Sequence, residues 1–386
     1  MSIKVSKVFW FLICVFCFFS YISLGIYGLL IVGIIGVLLS SYKNVFKIKK
    51  KVLYEILSAI VVLTSIIFSV DTQETILFGI VILAFSFITN SIMDKNIDYK
   101  RTIVKFMYLL SSIHVIAVIL ELIVPDIIMK INAVILTRES YSVVFYLFNQ
   151  GKYSGIAPQT GTVAYFILVY LIISLFIFWE QKNIVSFCLN VVGFIALIST
   201  CKRAPLLVYI LILFCCFAYY LITKNKGTNK IIINVLIGIV LIVMLIYAIT
   251  AFGYLFIEGD IEGISSGRWQ IYEFMINAFF KSPIIGNGFG YVQFVQGIAG
   301  HNIFLQLLCE YGLLAVVFFV WFFKNLHSAY VNMKSSEGKE FIINSISLCF
   351  QMFFLLYGLF GNPLYDYFEL GIYMIFCSLT CKGRGV

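Results

Sequence analysis

The sequence predicts an all-α polytopic integral membrane protein that forms a single transmembrane domain over residues 1–386. Of these residues, 62% are hydrophobic and only 12% are charged, and the mean hydropathy is +1.04. An average soluble domain carries roughly 25% charged residues, so this composition excludes a water-soluble globule. Apolar runs of membrane-spanning length recur along the whole chain, which indicates that its length is used for spans rather than for separate domains.

Apolar runs define the individual spans. A spanning helix needs about 20 predominantly apolar residues, and by this measure the chain contains about twelve spans. The first follows a basic N-terminus, and because no small-residue cleavage site comes after it, we interpret it as an uncleaved span rather than a signal peptide. The predicted spans cover 8–24, 26–42, 53–70, 75–93, 103–124, 162–179, 184–200, 204–222, 231–252, 302–323, 341–360 and 367–381.

The distribution of Lys and Arg predicts how these spans are oriented. With both termini in the cytoplasm, 20 of the 27 basic residues fall on the cytoplasmic side, as the positive-inside rule requires. The net charge of +9 is therefore explained by membrane topology and does not indicate a nucleic-acid partner. The basic residues left on the outer side, against the rule, are Lys130, Arg138, Lys152, Lys202, Arg203, Arg268 and Lys281.

Two of the predicted outer loops are long, at 125–161 and 253–301, and the second is the main loop. The cytoplasmic connections are too short for a nucleotide-binding domain and contain no Walker-type sequence, which argues against an ATP-driven pump. The ten cysteines lie mostly inside apolar runs and show no metal-site or disulfide spacing. We therefore expect any chemistry to face outward.

Arg268 stands at the start of a predicted helix in the main loop. Ile271, Met275 and Phe279 recur at helical spacing within 269–280, which predicts a short interfacial helix on the membrane surface. The planar guanidinium of Arg268 matches the geometry of phosphate oxygens. A solvated loop arginine would give the same local sequence.

Alternating glycines follow at Gly286, Gly288 and Gly290. Such a segment allows the backbone to approach a ligand closely or to take a positive φ, so Gly288 is a candidate binding residue. An ordinary turn after Pro283 is the simpler interpretation. A dinucleotide site is excluded because no strand–turn–helix unit surrounds the glycines.

His301 and Asn302 stand where the main loop returns to the membrane. A neutral imidazole at this position can take a proton from a hydroxyl group at neutral pH. Glu310 follows inside the next span, where a buried carboxylate is costly unless it is paired or used. The alternatives are a helix-capping role for the first two residues and an ion pair with another helix for Glu310.

Lys202 and Arg203 occupy a tight outer turn between two spans, and Lys152 lies in the first outer loop. Two adjacent cations at membrane-interface depth predict an anion site. Snorkelling of both side chains to lipid headgroups is the alternative. Taken together, the outer cations, the outer histidine and the glycine segment suit a phosphate-bearing lipid whose headgroup lies at the interface.

A set of main-loop residues carries a family resemblance, and Lys202-Arg203 adds a basic helix end. The set comprises Ser266-Gly267-Arg268, Pro283, Gly286-x-Gly288-x-Gly290, His301-Asn302 and Glu310-x-Gly312-Leu313. In these positions the chain resembles the bacterial O-antigen polymerase and O-antigen ligase superfamily (Wzy and WaaL types). The remaining spans match only in number and hydrophobicity.

The resemblance implies a metal-independent glycosyltransferase without a cofactor, acting on undecaprenyl-diphosphate-linked glycans at the outer face of the bacterial plasma membrane. By this analogy Arg203 and Arg268 hold the donor diphosphate, and His301 activates the acceptor hydroxyl. Lys152 departs from the pattern, which has an arginine at that place. The implied partners are the lipid-linked donor and acceptor glycans, membrane lipid, a chain-length regulator and a flippase.

The resemblance leaves two activities open. A polymerase extends the glycan on the next lipid-linked repeat, whereas a ligase transfers the finished chain to lipid A-core. The richness in Ile, Lys, Asn and Phe, which is typical of polysaccharide gene clusters, favours the polymerase. A lipid-linked oligosaccharide transporter is the alternative from another class, but transporters need charged groups near the midplane, and here the unusual charges gather at the outer ends of spans.

Overall fold

The computed structural model describes residues 3–22, 28, 31–36, 48–224 and 268–381. No β-strand occurs among these residues, which confirms the all-α class for the described part of the chain. In chain order the helices are α1 (Ile3–Phe19), α2 (Lys50–Thr64), α3 (Thr72–Met93), α4 (Ile97–Ile123), α5 (Pro125–Ile135), α6 (Arg138–Asn149), α7 (Thr160–Gln181), α8 (Ile184–Ser199), α9 (Arg203–Lys224), α10 (Arg268–Lys281), α11 (Tyr291–Gln296), α12 (Ile303–Tyr311), α13 (Val316–Lys334), α14 (Gly338–Tyr357) and α15 (Tyr367–Ser378), with 3₁₀ turns at Ser65–Ile67 and Gly312–Ala315.

Ten of the predicted spans coincide with described helices. The predicted span 231–252 lies outside the described residues, and 26–42 is described only at 28 and 31–36. Five described helical segments are long and apolar enough to cross a membrane: α3, α4, α7, α14 and the continuous segment Ile303–Lys334. The apolar helices α1, α8, α9 and α15 are shorter. The count of about twelve spans stays a prediction.

Short polar residues determine where several helices begin. Asp71 accepts a hydrogen bond from Glu74 N at 3.0 Å at the start of α3, and Asn183 accepts one from Ser186 N at 2.8 Å at the start of α8. These N-caps satisfy backbone donors that have no partner in the first helical turn. Pro125 begins α5 at a position where its missing N–H costs nothing.

Helix α7 lies at the centre of the bundle, where it is buried along most of its length and packs against α4, α8 and α14. Helix α8 shows the opposite pattern on its outer face. Ile184 is 72% exposed, and Val185 and Phe187 are also exposed. An apolar face of this kind is stable in lipid and unfavourable in water, so the exposed surface supports a multi-pass membrane protein.

Both predicted long loops contain short helices. Helices α5 and α6 fold from 125–161, and α10 and α11 fold from the described part of 253–301. Helix α10 buries Ile271 and Met275, two of the residues predicted to recur at helical spacing, and the third buried residue is Ala278 rather than Phe279. Its other side exposes apolar side chains, among them Phe280 at 71%. This two-sided apolar character fits the predicted interfacial helix.

Candidate functional site

Arg268 and Tyr272 lie one turn apart on α10 and fasten this helix to the rest of the molecule. The Arg268 Nη1 donates a hydrogen bond to Phe360 O at 2.9 Å. The Tyr272 hydroxyl lies 3.3 Å from His301 O and 3.5 Å from Leu359 O. The positive charge of Arg268 also acts on the Tyr272 side chain. Helix α10 is thereby held against the segment 358–366 and against the backbone of His301.

The backbone places His301 immediately before a helix start. His301 has a φ of +52°, in the left-handed region that non-glycine residues rarely adopt. Asn302 is the N-cap of α12, and its Oδ1 accepts hydrogen bonds from Phe304 N and Leu305 N, both at 3.1 Å. Capping was one of the two interpretations left open by the sequence, and the structure shows it for Asn302.

The imidazole of His301 is half-buried and makes no hydrogen bond to the described residues. Burial is the main cause that lowers the pKa of His301 below its ordinary value, and the charges of Arg268 and Lys202 lower it further. The ring is therefore neutral at neutral pH. A neutral imidazole with a free ring nitrogen can accept a proton from a hydroxyl group.

Lys202 lies in the turn between α8 and α9. Its backbone N–H donates to Thr200 Oγ1 at 3.3 Å. Its Cε lies 3.9 Å from the point that a Cβ on Gly161 would occupy, which places it beside the first turn of α7. Although the side chain is exposed, the surrounding protein desolvates the ammonium group. This desolvation, followed by Arg268 and Lys152, lowers the pKa of Lys202.

Lys152 is brought to the same place by the end of α6. Gly151, at a φ of +70°, donates to Phe148 O at 2.9 Å, and Lys152 N donates to Leu147 O at 3.0 Å. This pair of bonds is the Schellman motif that ends a helix with a left-handed residue. Gly151 O also accepts a weak bond from Cys201 Sγ at 3.7 Å, which ties the loop to the turn that carries Lys202.

Lys152, Lys202 and Arg268 form what we call the cation cluster, and His301 lies beside it. The four residues come from the end of α6, the α8–α9 turn, the start of α10 and the start of α12. The first turns of α7, α10 and α12 contribute partial positive charge to the same region. Such a site attracts an anion with several oxygen atoms.

Arg203 lies at the start of α9, and its side chain is exposed. Among the described residues it is Lys202, and not Arg203, whose charge acts on His301. The sequence therefore located the basic helix end, and Lys202 is the residue of this pair whose charge lowers the pKa of His301. Ser266 and Gly267, which precede Arg268 in the motif, lie outside the described residues.

The alternating glycines are packed against protein backbone. Gly288 has a φ of +88°, and a Cβ there would lie 2.3 Å from Phe68 O. Gly288 N donates to Glu310 O at 2.9 Å, and a Cβ on Gly286 would lie 2.3 Å from the same oxygen. These glycines thus permit a close approach between two segments of the chain. The approach determines the conformation of the loop and does not create space for a ligand there.

Glu310 lies beneath this loop and is fully buried. Its carboxylate accepts hydrogen bonds from Gln306 Nε2 at 2.9 Å and from Tyr365 OH at 2.8 Å. The backbone oxygen of Glu310 accepts a bond from Gly288 N at 2.9 Å. Glu310 therefore fixes the glycine loop to α12 and to the segment 358–366. It has no ion pair with a basic group within the described chain.

Sequence reasoning missed Tyr272 and Tyr357. Tyr272 lies four residues after Arg268, so the two share one face of the predicted helix, and this spacing was a usable signal. Tyr357, at the end of α14, lies within electrostatic range of Arg268. No local pattern marks it, because its position depends on packing between distant spans. No group of three or more His, Cys, Asp or Glu side chains that could hold a metal ion occurs in the described residues.

Comparison with known families shows which superfamily the chain resembles. Residues 188–320 match the family model described as O-antigen ligase (Wzy_C). The match confirms the resemblance to the Wzy/WaaL superfamily. The matched region contains Lys202, Arg203, Arg268 and His301 but not Lys152. No curated protein matches the chain. The superfamily match supports glycan transfer of the O-antigen ligase or polymerase type by a membrane enzyme that acts on a lipid-linked glycan.

Proposed function

We propose that this protein polymerises undecaprenyl-diphosphate-linked oligosaccharide repeats into O-antigen or capsule at the outer face of the plasma membrane. The observation that carries the proposal is the convergence of Lys152, Lys202 and Arg268 beside the neutral imidazole of His301. Transfer of a glycan from a diphosphate is helped by cations that stabilise the departing diphosphate and by a general base that accepts a proton. The cation cluster and His301 together can supply both.

The cation cluster would hold the donor diphosphate. Arg268 offers a planar fork for two phosphate oxygens, whereas Lys152 and Lys202 act as mobile point charges. Negative charge grows on the diphosphate as its bond to the sugar breaks, so fixed cations stabilise the departing group more than the bound substrate. Arg203, which follows Lys202 at the start of α9, is proposed to bind the outer phosphate oxygens.

The reaction proceeds at the anomeric carbon of the donor sugar. The acceptor hydroxyl oxygen forms a bond to this carbon, and the bond from the carbon to the diphosphate oxygen breaks. The electron pair of that bond leaves with undecaprenyl diphosphate, and the hydroxyl proton passes to a ring nitrogen of His301. General-base help of this kind typically contributes about 10²–10⁴-fold to the rate.

The remaining predicted site residues are proposed to position this machinery. Asn302 holds His301 at the start of α12 through the N-cap. Glu310 and Gly288 fix the loop that packs beneath the site. The exposed apolar side chains of α10, Trp269 at 55% and Phe280 at 71%, would lie in the interface where the lipid carrier and membrane lipids are found.

A ligase is the second candidate, because the matching family model is described as O-antigen ligase. The two activities share the donor and differ in the acceptor. They are distinguished by the surface polysaccharide of a deletion strain that is complemented with the wild type or with His301→Ala. A single repeat on its carrier or core, with a full ladder only on wild-type complementation, is the result expected of a polymerase with an essential His301.

Other outcomes of this experiment would indicate a different function. Long glycans that accumulate on the lipid carrier, with none on lipid A-core, would establish a ligase. An unchanged ladder in the deletion strain would overturn both activities. Repeat units that remain on the cytoplasmic face would support a transporter. Insertion of His301→Ala must be verified with an epitope tag, so that loss of the ladder is assigned to the site.

A further inference from the structure

Three buried oxygen atoms lie at the turn around Gly155, in the loop that also carries Lys152, and have no hydrogen-bond partner among the described residues. They are Glu121 Oε1, Asn132 Oδ1 and Ser154 Oγ. Glu121 is 1% exposed, and Asn132 and Ser154 are both 0% exposed. A buried polar atom without a partner is destabilising, so three such atoms at one turn point to a ligand that binds oxygen.

The backbone of Gly155 determines which side-chain atoms are left unpaired. Gly155 N donates to Glu121 Oε2 at 2.6 Å, and Asn132 Nδ2 donates to Gly155 O at 2.8 Å. Ala157 N donates to Ser154 O at 3.0 Å, and Gly155 has a φ of +59°, which closes a tight turn. The second carboxylate oxygen of Glu121 and the amide oxygen of Asn132 therefore remain, together with the Ser154 hydroxyl.

No basic side chain neutralises Glu121. The residue forms no ion pair within the described chain. Lys152, two residues before Ser154, instead donates to Gln150 Oε1 at 2.8 Å. Glu121 lies in the last turn of α4 and Asn132 in the last turn of α5, where the helix carbonyls carry partial negative charge. The carboxylate and both helix ends therefore favour a positive charge at this place.

We propose that Glu121, Asn132 and Ser154 bind a monovalent metal cation, Na⁺ or K⁺, through these three oxygen atoms. Carboxylate, amide and hydroxyl oxygens are ligands that hard cations prefer. A single carboxylate balances one positive charge, whereas a divalent ion would leave buried charge uncompensated. A water molecule can also satisfy the three atoms, but it leaves the charge of the carboxylate unneutralised.

The bound ion would fasten the loop around Gly155 to the ends of α4 and α5. A Cβ on Gly155 would lie 3.1 Å from Ala117 Cβ, so the turn already packs closely on α4. In the same loop Tyr153 N donates to Ser199 O at 3.1 Å, and Lys152 belongs to the cation cluster. The ion has a structural role, and the proposed transfer step involves no metal.

Thermal unfolding of the purified full-length protein in nanodiscs tests for this ion. Choline chloride is replaced by NaCl or KCl at constant ionic strength. Because an ion that binds only the folded protein stabilises it, the unfolding temperature should rise in NaCl, in KCl or in both. CaCl₂ at the same ionic strength should give a smaller rise. Hydrogen exchange of the Gly155 amide should slow under the conditions that raise the unfolding temperature.

Substitutions at the three ligands assign the response to this site. In Glu121→Gln the cation concentration that gives half of the response should rise about tenfold or more, because the charged ligand is lost. Ser154→Ala should raise it about threefold or more. The Ser154 hydroxyl has no described partner, so this variant should be as stable as the wild type in choline chloride, and it serves if Glu121→Gln does not fold. Glu139→Gln, at an exposed carboxylate of α6, should respond like the wild type.

Three results would overturn the inference. Equal wild-type unfolding temperatures in all the salts would show that water or a protonated carboxyl group satisfies the three oxygens. A wild-type response in both Glu121→Gln and Ser154→Ala would place the ion elsewhere, and a larger response to CaCl₂ would contradict a monovalent ion. None of these measurements uses a glycan, so such a failure is separate from a failure of the proposed function, which the polysaccharide ladder of the deletion strain decides.

Discussion

The Tyr272 hydroxyl donates to the backbone carbonyl of His301 at 3.3 Å, and Tyr272 lies one helical turn after Arg268 on α10. One tyrosine therefore sets the spacing between the proposed diphosphate ligand and the proposed base. The carbonyl it holds belongs to a residue with left-handed backbone. The distance between Arg268 and His301 and the orientation of His301 are thus coupled through α10.

Tyr272→Phe should slow transfer roughly tenfold, because a hydrogen bond worth about 1 kcal/mol that positions the base is lost without loss of the ring. The measurement is kcat for repeat-unit transfer in nanodiscs. Tyr291→Phe is the control, since the Tyr291 ring packs on Phe274 and its hydroxyl has no bond to the described residues. Equal rates for both variants would show that Tyr272 has no positioning role.

Arg268→Lys should lower activity strongly, by about 10²-fold, because a lysine keeps the charge and loses the planar fork. The ladder of surface polysaccharide and the pyrophosphate dissociation constant report this change. Arg138→Lys, at an exposed helix start, should leave both unchanged. Wild-type activity in Arg268→Lys would mean that charge alone is required.

The pH dependence of transfer should report His301. Its pKa lies below the ordinary value because of burial, Arg268 and Lys202. For the free enzyme, kcat/KM should be constant at neutral pH and fall as the pH drops through this lowered pKa, because only the neutral ring accepts a proton. In Lys202→Gln a nearby positive charge is gone, so the pKa of His301 rises and the fall begins at a higher pH.

A control and a contrary outcome sharpen this prediction. Lys281→Gln removes a cation from the far end of α10 and should leave the pH profile where it is. If the acid limb shifts in neither variant, or shifts to lower pH in Lys202→Gln, then Lys202 does not act on the residue that titrates in the reaction.

Gly288→Ala should destabilise the folded protein by about 2 kcal/mol or more. It combines the cost of a left-handed φ for alanine with a steric clash, since the new Cβ would lie 2.3 Å from Phe68 O. Gly290→Ala is a matched control, because its φ is +78° and no atom lies within 4 Å of its Cβ. Thermal unfolding in detergent measures the loss of stability in each variant. Equal losses would show that the steric clash with Phe68 O does not contribute.

Local sequence patterns predicted the helices and one part of the site. Apolar runs gave segments such as 75–93 and 162–179 close to α3 and α7, because a bilayer imposes length and composition on each span. The helical spacing of apolar residues after Arg268 predicted α10. His301 and Asn302 were placed at a helix start, which the N-cap confirms.

The rest of the site depends on tertiary packing, which local sequence patterns do not predict. Lys152 approaches Lys202 because the end of α6 pairs with the α8–α9 turn, and the two residues are far apart in the chain. The glycine loop suggested a ligand, whereas its partner is the backbone of Phe68 and Glu310.

Cys201, whose thiol bonds weakly to Gly151 O, gives the protein a native chemical handle. It is exposed and immediately precedes Lys202 in the turn. A membrane-impermeant maleimide added to intact cells would reach this thiol only if the turn faces outward. The Cys201 thiol would be shielded from the same reagent when a diphosphate lipid is bound to the neighbouring cations. One unmodified side chain can thus report both the sidedness of the bundle and the occupancy of its site.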